Sequence, residues 1–533
     1  VKIFGMDPVR DTVNVLSRIG YLSEDRDLPW WMRAVQLIRY TRAFYPNCDP
    51  SFAEELRTTF RLDNKAHQAS FARREGSGGP THRPRTSSRP AAARESRGMF
   101  FSRTLAPRGN ASQPCFAILV PPPNCSYNTS IARCTSHPMP RKENLMGKKR
   151  LNVALIGTKF MGKAHSNGLR QVSKFFDLPA EPVMKVLCGR DPDETKAAAL
   201  KMGWEEHSSN WREVVARDDI DIVDIATPGD LHKPITIAAA KAGKHIICEK
   251  PLANTAKESE AMLAAARKAG VKHMCGFSYR FAPAVATIKK MVEADELGEI
   301  YHFRAAYQQD WIVDPDFPLV WRLQKKHAGS GALGDIGAHI LDMCHNLVGP
   351  IGEVSAATQT FIEKRKIADS DTGLHRGKRA SKKAKTGKVT VDDAAIVLAR
   401  FKGRNTLATF EATRFAPGRR NHHTFEINGS KGSVVWNLED MNYFQYFNSA
   451  DPDQAQGFRR VNATDPGHPY TDAWWPPAHI IGYEHLFTHE FYDFIRELNR
   501  KKVSYPTFED GLQCNRVLDA VEKSARSKKW EAV

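Results

Sequence analysis

LNVALIGTKFMGKAHSNGLR, residues 151–170, is the stretch that decides how the chain is read. Its opening run is apolar apart from Asn152, as expected of a strand covered on both faces. Gly157 permits a tight turn, and the residues from Met161 onward have helical spacing. In such a strand–turn–helix unit the helix begins at the carboxyl edge of the strand. Its unpaired N–H groups and partial positive charge suit a pyrophosphate. Gly162 stands where the third glycine of a dinucleotide-binding turn lets helix and strand pack closely. Lys159 stands where the second glycine would let bare backbone approach phosphate. A dinucleotide site survives this exchange if the lysine side chain turns outward or adds positive charge near the phosphates. Thr158, Phe160 and Met161 complete the expected turn.

Outward from this unit the alternation repeats. VMKVLCG (183–189), DIDIVDIAT (219–227), KHIICEKP (244–251) and VKHMCGFSY (271–279) read as strands. Helices are predicted in DETKAAALKMG (193–203), HKPITIAAAKAG (232–243) and TAKESEAMLAAARKAG (255–270). Apolar strands alternating with helices predict an α/β domain over 148–276, a Rossmann parallel sheet with helices on both faces. The texture then changes. GEIYHFRAAYQQ, AAIVLARF, TLATFEATRF, HHTFEINGS and GSVVWNL alternate as strands of a large, mostly antiparallel open sheet do. They place an α+β domain over 277–533. Its terminal helical pattern (508–530) is expected to pack back on the first domain.

The formal charge is +18, of which +10 falls before residue 146 and +7 in the run 363–388. The remainder is close to neutral, which argues against a nucleic-acid-binding face. The basic run reads as a solvated loop between two strands. Residues 1–147, rich in Arg, Ser, Pro and Gly, are expected to be disordered or a spurious extension, with the working protein starting near Met146. No apolar run is long enough to span a bilayer. The nine cysteines have no zinc spacing and read as reduced thiols of a cytoplasmic protein.

Several residues carry chemical potential. Where a site for NAD usually ends its second strand with an acid, this chain has Gly189 and Arg190. Asp191 follows, so NAD or NADP fits, with a slight lean to NADP through Arg190. Lys250 and its neighbour Glu249 sit at the end of a parallel strand, the ligand-binding edge in this architecture. Asp335 and His339 are four apart on a predicted helix, where a carboxylate can orient an imidazole for proton transfer. Trp474 and Trp475 read either as an apolar wall for a sugar ring or as core. No metal is expected, because neither His485/His489 nor His339/Asp342/His345 matches a zinc pattern.

In order and spacing, the Gly157–Gly162 turn, ATPGDLH (226–232), CEKP (248–251), YRF (279–281) and GALGDIGAHILD (331–342) resemble the Gfo/Idh/MocA oxidoreductases. This is the glucose-fructose oxidoreductase and inositol dehydrogenase group. The resemblance covers about residues 149–533. It implies an enzyme moving hydride between NAD(P) and a hydroxyl or carbonyl of a sugar or polyol. It also implies a C-terminal domain that binds substrate and makes a homo-oligomer through its sheet. The motif lysine falls on Lys250, set to stabilise an alkoxide. The motif Asp and His fall on Asp335 and His339, the latter as proton acceptor. Thr227, Pro228, His232 and Glu249 would join the cofactor site, and Tyr279 and Arg280 the substrate pocket. Two other readings stay open: an NAD-dependent glycosidase working by transient sugar oxidation and elimination, and a non-catalytic sugar-nucleotide sensor.

Overall fold

The computed structural model describes residues 148–367 and 384–533. The expected disorder of residues 1–147 and the middle of the basic run lie outside the described residues. Six parallel strands build the first sheet: β1 (Lys149–Ile156), β2 (Ala180–Cys188), β3 (Glu206–Ser208), β4 (Ile222–Ile225), β5 (His245–Glu249) and β6 (His273–Gly276). Their order is β3-β2-β1-β4-β5-β6, so the sheet reverses direction of growth beside β1. The carboxyl ends of β1 and β4 therefore flank a crevice, which is where such sheets bind ligands. The strands are buried because helices cover both faces. On one face, helices Phe160–Phe175 and Tyr483–Glu497 lie together, with Leu169, Val172, Phe491 and Phe494 packed beneath them. Each such side chain contributes about 1.5–3 kcal/mol of burial.

Local chemistry sets the helix ends. Asp191 caps helix Pro192–Met202 by accepting the Glu194 N–H, and Gly203 closes it at a positive φ. Thr255 caps helix Ala256–Ala269 in the same way. Strand β3 and helix Trp211–Ala216 are too short and too polar to have been read from periodicity.

The second sheet has nine strands: β7 (Ile300–Gln308), β8 (Ile351–Gln359), β11 (Ala394–Phe401), β12 (Leu407–Thr413), β13 (His422–Gly429), β14 (Gly432–Asn437), β15 (Tyr443–Asn448), β16 (Arg459–Asn462) and β17 (Glu531–Ala532). All neighbours are antiparallel except β7 and β12. One face alternates into the core through Phe303, Val397, Phe410 and Phe425. Helix Phe508–Ser527 runs against both β8 and helix Ala256–Ala269.

The basic run departs from the expectation of a loop solvated throughout. Its ends pair as a ribbon, β9 (Lys364–Lys366) with β10 (Thr386–Lys388). Arg365 is buried and donates to the main-chain oxygens of Ile312, Asp314 and Phe317. A guanidinium can be buried where carbonyls take its protons, so charge alone did not mark this residue as solvated. No described helix is long and apolar enough to cross a membrane.

Candidate functional site

The turn after β1 shows why two glycines stand there. Gly157 has φ +132°, and a Cβ on it would lie 2.3 Å from the Ala226 oxygen. A Cβ on Gly162 would lie 2.0 Å from the Gly157 oxygen. Lys159 needs no such room. Its side chain turns outward and pairs with Glu194 at 2.6 Å. No side chain caps helix Phe160–Phe175, so its first N–H groups face the turn. Thr227, at the carboxyl end of β4, has a buried hydroxyl with no partner among the described residues. Bare helix N–H groups, glycines at the turn and an orphan hydroxyl across the crevice fit a dinucleotide. Thr158 and Met161 are half-buried in the turn, while Phe160 is exposed and stacks on Tyr483.

At the end of β5, Lys250 reaches across to the 331–339 segment. Its Nζ donates to the Asp335 main-chain oxygen at 2.5 Å and lies 3.9 Å from the Asp335 carboxylate. That carboxylate also meets Arg414 at 3.4 Å. Burial pushes the Asp335 carboxyl up, but Lys250, Arg414 and Arg322 outweigh it and hold it below the ordinary range. The segment is anchored by Asp392, whose carboxylate accepts the Gly331 and Leu333 N–H groups at 2.7 and 2.8 Å.

His339 follows on helix Ala338–Leu347 and is almost fully buried. Burial, then Lys250 and His423, hold its ring well below the usual imidazole range, so it is unprotonated at neutral pH. The expected Asp335–His339 contact is absent, because Asp335 lies in a π-helical turn, Leu333–Gly337, before the α-helix proper. In that wider register a four-residue step does not return to one face, and the cations Lys250 and Arg414 take the carboxylate.

Around His339 the fold brings together Tyr279, expected in the pocket, with side chains that the sequence did not mark. Tyr279 packs on the imidazole at 4.5 Å between ring centroids. Its hydroxyl bonds Tyr307 at 2.7 Å, and Tyr307 donates to Asn421 at 2.6 Å. Gln309 also donates to Asn421 and accepts from Trp311, over whose ring Arg414 lies. This circuit runs back through Arg414 to Asp335. Burial pushes the Tyr279 hydroxyl up to about 12, so it titrates far from neutrality.

Other expected site residues have different work. Glu249 points inward: its carboxylate bonds His165 at 3.0 Å and accepts the Lys250 N–H at 3.2 Å. His232 is wedged between the main-chain oxygens of Pro251, Leu252 and Thr227, tying two loops together. Arg280 is clamped by Asp342 at 2.5 Å and Asp510 at 3.0 Å. Trp474 donates to His489 at 2.6 Å and packs on Phe175 and Phe176. Trp475 meets Phe175 too. Trp474 is half-buried and also packs on His485, at 4.4 Å between ring centroids, while Trp475 is exposed. Arg190 and Asp191 are exposed just beyond β2.

Comparison with known proteins identifies the family. The family described as "Oxidoreductase family, NAD-binding Rossmann fold" matches residues 151–277, and the "GFO/IDH/MocA C-terminal domain" matches 285–435. The chain is 44% identical over 385 residues to levoglucosan dehydrogenase of Pseudarthrobacter phenanthrenivorans, covering 71% of this chain and 97% of that protein. A solved levoglucosan dehydrogenase in complex with NADH and levoglucosan is 43% identical, with TM-score 0.68, and covers 72% of this chain and 99% of that one. An oxidoreductase domain protein from Kribbella flavida is 49% identical, with TM-score 0.68 and the same coverage. The chain therefore belongs to the GFO/IDH/MocA family and is an enzyme of it, an oxidoreductase that binds NAD through its Rossmann domain.

Proposed function

We propose that the enzyme oxidises a secondary hydroxyl of a cyclic sugar or anhydro-sugar of the levoglucosan kind, with NAD as the preferred cofactor. The observation that carries this reading is a buried, unprotonated His339 beside the Lys250 ammonium at the carboxyl edge of the Rossmann sheet. Bound NAD supplies the hydride acceptor. A ring nitrogen of His339 takes the hydroxyl proton, and Lys250 donates to the oxygen as negative charge grows on it. Asp335 holds Lys250 in place and balances its charge; it acts on the lysine and not on the imidazole. Tyr279, Tyr307, Asn421, Gln309 and Trp311 offer the hydroxyls, amides and ring faces that a polyhydroxylated ring requires.

The lean to NADP is reversed here. The exposed Asp191 carboxylate at the end of β2 suits a ribose diol and repels a 2′-phosphate, and the 43%-identical relative was solved with NADH. Arg190 beside it leaves room for weaker use of NADP. The outer face of the nine-stranded sheet exposes Ile396, Leu398 and Leu407, and it is where copies of the chain would meet as a homo-oligomer. The five described cysteines are buried free thiols, in keeping with the cytoplasm.

The test is absorbance at 340 nm with NAD or NADP against levoglucosan, hexoses and inositols. Growth with NAD and an anhydro-sugar is expected. Release of an aglycone from glycosides with no lasting gain would replace this reading by the redox-assisted glycosidase. No cofactor binding would leave the sensor.

A further inference from the structure

Directly behind the cofactor turn the fold buries three carboxylates around one imidazole. His165 lies within helix Phe160–Phe175, just after the glycine turn. Its Nδ1 is 2.9 Å from Asp224 at the end of β4, and its Nε2 is 3.0 Å from Glu249 at the end of β5. The side chains of His165 and Asp224 are 0% exposed and that of Glu249 is 6% exposed. Phe487 and Phe491 close over the imidazole from helix Tyr483–Glu497. Glu490 enters from the same helix, fully buried, with neither carboxyl oxygen hydrogen-bonded among the described residues. The other titratable groups that bear on this cluster are Cys248, Cys275, Tyr279 and Tyr483, each through Glu249.

A neutral imidazole has one N–H to give. Here both ring nitrogens face carboxylate oxygens, so a neutral ring would set a lone pair against an anion. A protonated ring donates in both directions. The link continues to the reaction centre, because the second Glu249 oxygen accepts the Lys250 N–H at 3.2 Å.

We propose that His165 is a positioning residue: as an imidazolium clamped between Asp224 and Glu249, it holds the end of β5 so that the Lys250 ammonium stays on Asp335. The proposal rests on the role given to Lys250 above. Burial opposes the charge, but Asp224 and then Glu249 outweigh it and keep His165 protonated well above the ordinary imidazole range. Burial raises the Glu490 carboxyl well above the ordinary range, which favours its neutral form beside the cluster.

The test is a double-mutant cycle on the full chain, with His165→Asn, Lys250→Met and both together, reading kcat and the sugar KM with NAD. His165→Asn should lower kcat about 10- to 100-fold, the scale of a small misplacement at a reacting centre, with KM little changed. In the Lys250→Met background it should lower kcat no further. Multiplicative losses in the double variant would overturn this proposal alone. An unchanged kcat in Lys250→Met would overturn the reading of Lys250 and this proposal with it. If His165→Asn does not fold, Glu249→Gln removes the charge while keeping a hydrogen-bonding side chain. It should show the same kcat loss and the same non-additivity with Lys250→Met, and a wild-type kcat in Glu249→Gln would overturn the proposal.

Discussion

Lys250 and Asp335, 85 residues apart, meet through the lysine ammonium and the main-chain oxygen at 2.5 Å. The lysine thus arrives at the site already held by a backbone acceptor, with a carboxylate 3.9 Å away as its counter-charge. A preorganised donor of this kind acts most where charge grows during reaction. Lys250→Met is therefore expected to lower kcat by about 10²–10³-fold, on the scale of losing one such donor. Steady-state kinetics with saturating NAD checks it, and the sugar KM should change much less.

In the proposed mechanism His339, as the base, is expected to set the acid limb of the pH profile. Burial, Lys250 and His423 all lower its proton affinity, so the base stays free well below pH 6.5. The kcat/KM profile should therefore hold its plateau through pH 6.5 and fall only at more acid pH. Lys250→Met removes one of the lowering charges and should move that limb upward. A limb at or above pH 6.5 in the wild type would count against His339 as the base.

The unusual turn separates two kinds of substitution. Lys159→Gly removes a side chain that faces Glu194 and solvent, so NADH binding should stay within about threefold, because exposed ion pairs contribute little. Gly162→Ala places a methyl 2.0 Å from the Gly157 oxygen and should weaken NADH binding at least tenfold by forcing the turn open. Fluorescence titration of NADH distinguishes the two.

His345 offers a stability test away from the chemistry. The residue is half-buried, but both its ring nitrogens are buried and unpartnered among the described residues, and their desolvation takes it down to about 3. The unfolded chain takes up a proton near pH 6.5 that the folded chain refuses until about pH 3, so the wild type loses stability as pH falls through this window. The loss approaches about 1.4 kcal/mol per pH unit for this one group. His345→Leu should raise Tm at pH 7 and raise it further at pH 5. Thermal melts at both values decide, and a gain that does not grow on acidification would reject the assignment.

Much of this was legible along the chain because its causes are local. The apolar run before Gly157, the two glycines whose Cβ positions are filled, and repeated strand–helix alternation follow from backbone sterics and periodicity. Lys250 could be proposed from sequence because a strand end is also a short-range signal. The partners of Asp335 could not be. Arg414 is 79 residues away, and the π turn that aims the carboxylate at it has no local signature, so the helical spacing pointed to His339 instead. Trp474 gives a similar lesson: that it joins two helices through Phe175, Phe176 and His485 is set by packing and not by local composition. Asp224 carried a faint mark, a charge inside an apolar strand, but its meaning required His165 and Glu249 to converge from two other elements. Periodicity reports which face of an element is buried. Which charges meet inside depends on the three-dimensional closure of elements far apart in the chain.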